Sequence, residues 1–349
     1  MRILLTADPF IPVPPVHYGG IERIVASLAV HFQELGHAVG LLAHPDSQCP
    51  AGFLAKWPST DPRQAGDHVR NTLALVNTVR EFRPDVVHSF SRLLYLAPLL
   101  PSRLSKVMSY QRQPGGRQIA VGARLAGRSL IFTGCSGFIA AAGRRAGGNW
   151  RAIPNFVDTA ALQFKAAVPD DAPLVFLSRI EAIKGTHLAI EIAKRTGRRL
   201  KIAGNFGATE ADRKYWDELI QPELNRNGIE YVGVVDDVAK NALLGSAAAM
   251  LVPIQWEEPF GIVFAEALSC GTPVIACPRG ALPEIVRDGV EGRLINTIEE
   301  GCEAVRSLPA ISREKCRARA ESEFSLSVVA QRYLATYQGL RNQTAGRRG

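Results

Sequence analysis

The sequence predicts an α/β protein of two doubly wound parallel-sheet domains that face each other across a cleft. Short apolar runs alternate with amphipathic segments along most of the chain, which is typical of strands and helices in covered parallel sheets. The pattern restarts after residues 158–173, a stretch of poor periodicity that ends in Pro-Asp-Asp-Ala-Pro and is interpreted as a linker. The 349 residues are enough for two such domains, and clefts of this kind bind nucleotides or related ligands.

The first domain is expected at residues 1–160. Apolar runs bounded by polar or turn residues predict its strands, and apolar residues spaced by three or four predict its helices. The expected strands are residues 3–7, 38–43, 85–88, 106–110, 130–133 and 151–154, and the expected helices are residues 20–35 and 69–82. Residues 49–70 and 111–124 show no clear pattern outside the start of the second helix.

The second domain is expected at residues 161–322 and follows the same alternation. Its expected strands are residues 173–178, 200–203, 229–233, 249–253, 273–276 and 292–295, and its expected helices are residues 186–195, 238–244 and 261–270. The chain after Ser307 is charged and helical in pattern. Residues 323–342 are expected to form a helix that returns to the first domain.

Composition narrows the class of protein. Apolar residues make up 46% of the chain and charged residues 21%, which excludes a disordered or fibrous protein. The net charge of +8 favours anionic partners, but aromatic residues are only 7% and do not alternate with basic ones, which argues against nucleic acid. The six cysteines and seven histidines show no metal-ligand spacing, so no metal is expected.

The sequence favours a cytoplasmic location. It has no apolar run near the ~20 residues that cross a bilayer, and Asp8 and Pro9 come too early for a signal peptide. Peripheral contact with the inner face of a membrane is compatible with the sequence but not required by it. The basic residues that could meet anionic head groups are better interpreted as a plain solvated surface; they are Arg103, Lys106, Arg112, Arg117, Arg124 and Arg128.

The most informative motif lies between residues 249 and 268. A buried strand is followed by a loop with Glu257 and Glu258, and then by a helix expected to begin near Pro259. The backbone N–H groups of Phe260, Gly261 and Ile262 are expected to point out of the helix start, where they favour a phosphate. Glu266 lies two turns into an otherwise apolar helix, where an unbonded carboxylate is costly. The alternative is that Glu258 only complements the helix dipole and Glu266 is solvated.

Two further motifs offer groups for an anion. Arg179 directly follows a strand of the second domain and Lys184 precedes the next helix, so the pair can grip two phosphates or be an ordinary surface pair. Gly19 and Gly20 form a turn into the first helix of the chain. That turn provides a second anion-friendly edge, or is only a turn.

Together these motifs resemble family 4 of the retaining glycosyltransferases (glycosyl transferases group 1), which have the GT-B architecture of two Rossmann-like domains. The strongest match is Glu258-Pro-Phe-Gly-Ile-Val-Phe-Ala-Glu266, the family's signature of two glutamates separated by seven residues. The resemblance also includes Tyr18–Arg23, Asp85–His88, Asn155–Asp158 with Phe156 in place of the usual glycine, Arg179, Lys184–Gly185, residues 267–275 and residues 283–285.

The resemblance implies a role for each matched residue. Arg179 and Lys184 are expected to hold the diphosphate of a nucleotide sugar, helped by Gly19, Gly20 and the amides near Gly261. Glu266 is expected to accept hydrogen bonds from the ribose, and Glu258, with the backbone of Phe260 to Ile262, to orient the donor sugar. Gly233 and Val234 are expected near the base. Arg179, Lys184 and Glu258 are therefore the candidate catalytic residues, and no metal or other cofactor is implied.

The first domain departs from the family at one position. A histidine that often touches the donor sugar there is replaced by Gln111, which can bond a hydroxyl but cannot take a proton. His88 and Gln111 are the candidate sugar contacts of this domain, and His17 is a further nearby histidine. The favoured interpretation of both histidines is a structural or loop role.

The resemblance implies transfer of a hexosyl group from a UDP- or GDP-linked sugar to an unidentified acceptor, which is a saccharide, a lipid-linked molecule or a small molecule. Configuration is expected to be retained and no metal to be needed. Two alternatives are a non-catalytic nucleotide-sugar binding protein and a nucleotide-sugar 2-epimerase.

Overall fold

Two parallel β-sheets organise the chain. The structure is a computed structural model that describes residues 1–16 and 19–345, so His17 and Tyr18 of the predicted glycine-loop motif lie outside the described residues. The chain divides into unit 1, which is Met1–Asn155 with the chain from Leu326 onward, and unit 2, which is Phe156–Ser325.

Unit 1 has a seven-stranded sheet in the order β3-β2-β1-β4-β5-β6-β7, and every pair of neighbours is parallel. Its elements are β1 (Arg2–Thr6), α1 (Gly20–Glu34), β2 (Ala38–Ala43), β3 (Phe53–Lys56), α2 (Ala65–Phe82), β4 (Val86–Ser89), a 3₁₀ helix (Leu93–Leu99), β5 (Ser105–Tyr110), α3 (Gly116–Ala126), β6 (Leu130–Gly134), α4 (Gly137–Arg144) and β7 (Trp150–Ala152). The strand order reverses between β1 and β4.

One face of this sheet packs under α2, the 3₁₀ helix and α3. Leu4, Val87 and Met108 point to that face from neighbouring strands and join one buried cluster with Leu75 of α2 and Ile119 of α3. Because the strands are buried on both faces, their sequences are continuous apolar runs, which explains why they were predictable.

Unit 2 has a six-stranded parallel sheet in the order β10-β9-β8-β11-β12-β13, and its strand order reverses between β8 and β11. Its elements are β8 (Leu174–Leu177), α5 (Thr186–Thr196), β9 (Leu200–Ala203), α6 (Glu210–Tyr215), β10 (Ile229–Gly233), α7 (Asp237–Gly245), β11 (Ala249–Val252), α8 (Ile262–Ser269), β12 (Val274–Ala276), α9 (Leu282–Ile285), β13 (Gly292–Leu294), α10 (Ile298–Arg306) and α11 (Arg313–Phe324).

The last helix, α12 (Leu326–Ala345), belongs to unit 1. Its Thr336 hydroxyl accepts a hydrogen bond of 3.0 Å from the Arg151 guanidinium at β7, and its Arg341 lies 3.3 Å from the Asp85 carboxylate. The ring of Tyr337 packs edge-on against Phe32 of α1. These contacts place α12 beside α1 in the helical cover of unit 1.

Every strand predicted from the sequence is present, and the structure adds elements that the sequence analysis missed. These are β3, the 3₁₀ helix, α3, α4 and α6 among others. β3 is a four-residue edge strand with alternate residues exposed, and α3 buries only Ile119, Gly122 and Ala126. Neither leaves a strong apolar signal, because edge strands and helices that pack through small residues bury little apolar surface.

The start of α8 corrects one prediction. The helix begins at Ile262 and not near Pro259, because Gly261 has a φ of +82°, a left-handed conformation outside the α-helical region. A Cβ at Gly261 would also lie 2.5 Å from the Phe264 ring. The amides of the first helical turn therefore start at Ile262, and Phe260 and Gly261 lie in the preceding loop.

Candidate functional site

Three predicted donor residues of unit 2 follow β8 and β11, the two strands between which the strand order reverses. The loop of Arg179 and Lys184 leaves the carboxyl end of β8, and the loop of Glu258 leaves the carboxyl end of β11. Ligands of doubly wound sheets bind at this position, because loops from adjacent strands diverge there and open a crevice. The topology thus brings three predicted site residues to one edge of the sheet.

Lys184 and Glu258 form a direct ion pair. The Lys184 Nζ lies 2.8 Å from Glu258 Oε2, and the two side chains are only 9% and 13% exposed. The indole Nε1 of Trp256 donates a second hydrogen bond of 2.9 Å to the same oxygen, while the ammonium lies 4.7 Å from the centre of the Trp256 ring. The carboxylate and the ammonium are therefore held by each other and by one aromatic ring.

Gly185 explains how the Lys184 loop comes so close to β11. Its φ is +77°, and a Cβ at this position would lie 2.2 Å from the carbonyl oxygen of Pro253, just after β11. Only glycine fits this close approach of two backbones. The Lys-Gly pair seen in the sequence is thus a cation followed by the residue that lets it reach the neighbouring loop.

The backbone around Glu258 is tied to the loop that follows β12. The Ala281 N–H donates to the Glu258 carbonyl at 2.8 Å, and the Gly280 N–H donates to the Glu257 carboxylate. Glu257, the second acid of the predicted loop, therefore anchors the loop while Glu258 pairs with Lys184.

Arg179 is the most accessible of the predicted cations. Its side chain is 48% exposed, and its Nη1 lies 2.6 Å from Glu181 Oε1 in the same loop. The Ile180 N–H donates to the carbonyl of Asn205 after β9, which fixes this loop against its neighbour. Arg179 is therefore anchored at one side and open to solvent at the other.

Glu266 is not solvated, and its partner is a residue that the sequence analysis missed. Its Oε1 lies 2.6 Å from Nζ of Lys240 on α7, and both side chains are less than one-fifth exposed. Burial alone would lower the pKa of Lys240, but the charges and hydrogen bonds of Glu266 and Asp237 outweigh burial and raise it above its usual value. A lysine near the start of a helix is unfavourable, because its charge opposes the helix dipole. The position of Lys240 near the start of α7 could therefore have indicated from the sequence that acidic side chains stabilise it.

Gly233 ends β10 at the same edge of the sheet, and Val234 follows it. Gly233 has a φ of +85° and Val234 is 73% exposed. Beside them the rings of Phe206, Trp216 and Tyr231 pack on one another with centroid distances of 4.4 to 5.5 Å. The sequence analysis did not identify this aromatic cluster, because its members come from three separate segments.

In unit 1, the glycine turn has the predicted position at a helix start. Gly19 is the N-cap of α1 and Gly20 its first residue, and the carboxylate of Glu22 in the first turn lies close to this helix end, 2.9 Å from where a Cβ of Gly19 would be. The Gly19 carbonyl accepts the first helical hydrogen bond, from the Arg23 N–H at 3.1 Å. Gln111 directly follows β5 and is half-buried.

His88 does not fit a sugar contact. It is fully buried, its Nε2 lies 2.6 Å from the Ser109 hydroxyl, and its Nδ1 lies 2.5 Å from the Tyr337 hydroxyl. Burial lowers the pKa of His88 to about 3, so the ring is neutral near pH 7. The structure corrects that candidate role: both ring nitrogens are used to join β4, β5 and α12.

Residues 1–16 and 19–345 contain no group of three or more His, Cys, Asp or Glu side chains arranged to hold a metal ion. Within that same part of the chain, no helix is long and apolar enough to cross a membrane. All six cysteines are buried and none forms a disulfide.

The two Rossmann-like sheets define the class of protein. The chain has the GT-B fold: AviGT4, a glycosyltransferase involved in avilamycin A biosynthesis, matches with a TM-score of 0.71 and 26% identity over 99% of this chain and 98% of that one. Anabaena HepE, solved in complex with UDP, matches with a TM-score of 0.76 over 97% of this chain and 100% of that one, at 19% identity.

The family follows from the sequence comparisons. The Glycosyltransferase Family 4 model matches residues 18–161, and the Glycosyl transferases group 1 model matches residues 158–321. Glycogen synthase of Mycobacterium tuberculosis is 28% identical over 412 aligned positions, which cover 98% of this chain and 96% of that protein. The chain belongs to the group 1, family 4 type of glycosyltransferase.

The buried His88 gives the first prediction. Its pKa in the folded protein, about 3, is below the ordinary value of 6.5, so below pH 6.5 the unfolded chain takes up a proton that the folded protein refuses. His88 therefore makes the free energy of unfolding fall as pH drops from 6.5, by about 1.4 kcal/mol per unit. When the pH is lowered from 7.5 to 5, the free energy of unfolding should fall by about 2 kcal/mol more in the parent than in His88→Gln, as measured by urea unfolding.

The matched control is His31→Gln, the same substitution at a histidine of α1 that is 19% exposed, whereas His88 is fully buried. Its pH dependence should be steeper than that of His88→Gln. Equal pH profiles for the parent and His88→Gln would contradict the buried, neutral assignment.

Proposed function

We propose that the protein is a retaining hexosyltransferase that uses a UDP- or GDP-linked sugar and needs no metal ion. The observation that carries the proposal is the buried Lys184–Glu258 pair at the point where the strand order of unit 2 reverses. UDP as a donor component is supported by HepE, a protein of the same fold solved with UDP.

The proposal assigns the diphosphate to Lys184, Arg179 and the first amides of α8. Cleavage of the bond between the anomeric carbon and phosphate oxygen leaves both bonding electrons on the nucleoside diphosphate, whose negative charge grows. Two cations and a helix N-terminus that are already in place stabilise this charge without reorganisation. They are proposed to take the part that a metal ion plays elsewhere.

Glu258 is proposed to orient the donor sugar. Both of its observed hydrogen bonds use Oε2, from Lys184 and Trp256, and these fix the plane of the carboxylate. A carboxylate held in this way can accept hydrogen bonds from sugar hydroxyls without a further loss of side-chain entropy. The departing phosphate is proposed to accept the proton of the acceptor hydroxyl, which attacks the face that the phosphate leaves.

Glu266 is proposed to bind the ribose hydroxyls, and Lys240 to hold Glu266 in position. The pair lies about one helix turn inside α8, and Lys240 also contacts Asp237 at 2.9 Å. Gly233 and Val234 are proposed near the base, and Gly19, Gly20 and Gln111 remain proposed donor contacts of unit 1.

The direct test is release of nucleoside diphosphate from a panel of UDP- and GDP-hexoses, with and without sugar acceptors and in the presence of EDTA. We expect release with at least one donor, undiminished by EDTA, and a product whose anomeric proton coupling in NMR matches that of the donor. Binding without release indicates the non-catalytic alternative, an isomerised donor indicates the epimerase, and an inverted product contradicts retention.

Lys184→Ala should reduce kcat by about 100- to 1,000-fold and change the donor KM much less, because the ammonium matters most as the leaving group gains charge. Steady-state kinetics with the best donor measures the two constants. The matched control is Lys194→Ala. Lys194 lies at the far end of α5, and its Nζ forms an ion pair of 2.9 Å with Glu223. A kcat within about twofold of the parent in Lys184→Ala would rule out the assigned role.

Glu266→Gln should raise the donor KM by about tenfold, since hydrogen bonds to a charged group are worth more than those to an amide. Lys240→Met should raise the donor KM by a similar factor, and Lys240→Arg should raise it much less. Combining Glu266→Gln with Lys240→Met should raise the donor KM no more than the larger of the two single changes. Asp237→Asn is the control. Asp237 also contacts Lys240, but its side chain is 63% exposed, so this change should alter the donor KM much less than Lys240→Met does. Additive effects of the two changes would show that Lys240 does not act through Glu266.

A further inference from the structure

An apolar and cationic surface covers one helical layer of unit 1, and no proposed catalytic step uses it. Five aliphatic side chains of this layer are each between 51% and 57% exposed; they are Val69 and Leu73 of α2, Leu94 of the 3₁₀ helix, and Val121 and Leu125 of α3. The buried sides of these three helices share one core cluster on one face of the sheet. The five side chains therefore lie on the outer side of a single layer.

The apolar side chains are grouped and not scattered. Val69, Leu73 and Leu94 line a surface cavity of about 310 Å³ together with Ala65, His68 and Thr72. The neighbouring Leu93 packs against Gly122 of α3, where a Cβ would lie 3.0 Å from the leucine side chain. The 3₁₀ helix thus connects the cavity on α2 to the exposed residues of α3.

Helix α3 adds positive charge to this apolar surface. Arg117 and Arg124 are exposed on the same side as Val121, since positions separated by three, four and seven share one helix face. Arg128 is exposed in the turn that follows the helix. Residues 116–129 contain no acid, and no side chain in the described part of the chain forms an ion pair with these three arginines.

The structure shows which of the basic residues considered for lipid contact are buried and which are exposed. Lys106 is fully buried, and its ammonium donates to the carbonyls of Ser102 at 2.9 Å and Leu104 at 2.7 Å. It therefore cannot meet a lipid head group. Arg117, Arg124 and Arg128 remain exposed beside aliphatic side chains.

We propose that this surface of α2, the 3₁₀ helix and α3 docks on a lipid bilayer that contains anionic head groups. Unpaired guanidinium groups around aliphatic side chains match a membrane interface, where the cations meet head groups and the aliphatic groups enter the acyl boundary. The proposal does not depend on the proposed function, because docking needs no substrate.

The test is co-sedimentation of the full chain with vesicles of phosphatidylglycerol and phosphatidylcholine, compared with phosphatidylcholine alone. We expect binding to the anionic vesicles only, weakened by salt. Arg117→Gln, Arg124→Gln and Arg128→Gln combined should weaken it about 100-fold, and Val121→Ser with Leu125→Ser should weaken it about tenfold. Circular dichroism checks that each variant is folded.

The control carries the same loss of charge in unit 2, as Arg199→Gln, Arg226→Gln and Arg306→Gln, at three exposed arginines that are not part of the proposed surface. It should bind vesicles within about twofold of the parent. A polarity-sensitive fluorophore on Val121→Cys should shift to the blue on anionic vesicles, and the same label on Val238→Cys, at a residue of unit 2 that is 80% exposed, should not.

Three results would overturn the proposal: no binding to anionic vesicles, equal binding to phosphatidylcholine alone, or equal losses in the α3 and control variants. Self-association of the chain that Val121→Ser and Leu125→Ser abolish, measured by light scattering without lipid, would assign the surface to a second copy instead.

Discussion

The ion pair between Lys184 and Glu258 depends on the strand order of unit 2. The two residues are 74 positions apart in the chain, and they meet because β8 and β11 are neighbours in the sheet. A parallel sheet whose order reverses at this point sends the two following loops to opposite faces and leaves a crevice between them. Gly185 then permits the remaining approach, since any Cβ there would overlap the backbone at Pro253. The site is therefore a consequence of topology and of one glycine.

Each of the three cations assigned to the proposed site has an acidic partner. Lys184 pairs with Glu258, Arg179 with Glu181, and Lys240 with Glu266. An unpaired lysine with little exposure would pay a large desolvation cost, and pairing keeps it charged and ordered. The three ion pairs carry no net charge between them, but their charges are ordered, and the amides at the start of α8 lie on the same side of the sheet as the proposed diphosphate. Preorganised charge of this kind is what the proposed departure of a nucleoside diphosphate requires.

In unit 1, a histidine that the sequence offered as a ligand contact instead holds the fold together. His88 joins β4 to Ser109 of β5 and to Tyr337 of α12, three segments from distant parts of the chain. A strand residue in the middle of a parallel sheet is covered on both faces, so a polar side chain there must find its partners inside the protein. Periodicity identified the strand correctly, but it could not show which polar side chain would have a partner buried beside it.

The amino-acid sequence alone determined twelve of the thirteen strands that the structure describes, the main helices and the residues that follow β8 and β11, because buried parallel strands and glycine turns leave strong local patterns. It also identified Glu266 as a carboxylate that needs a partner, since an apolar helix makes an unbonded charge costly. Only the tertiary structure decided that the partner is Lys240, and that Lys106 is buried while Arg117 and Arg124 are exposed. These outcomes depend on contacts between segments far apart in the chain, and no local pattern of residues encodes which distant side chains will meet.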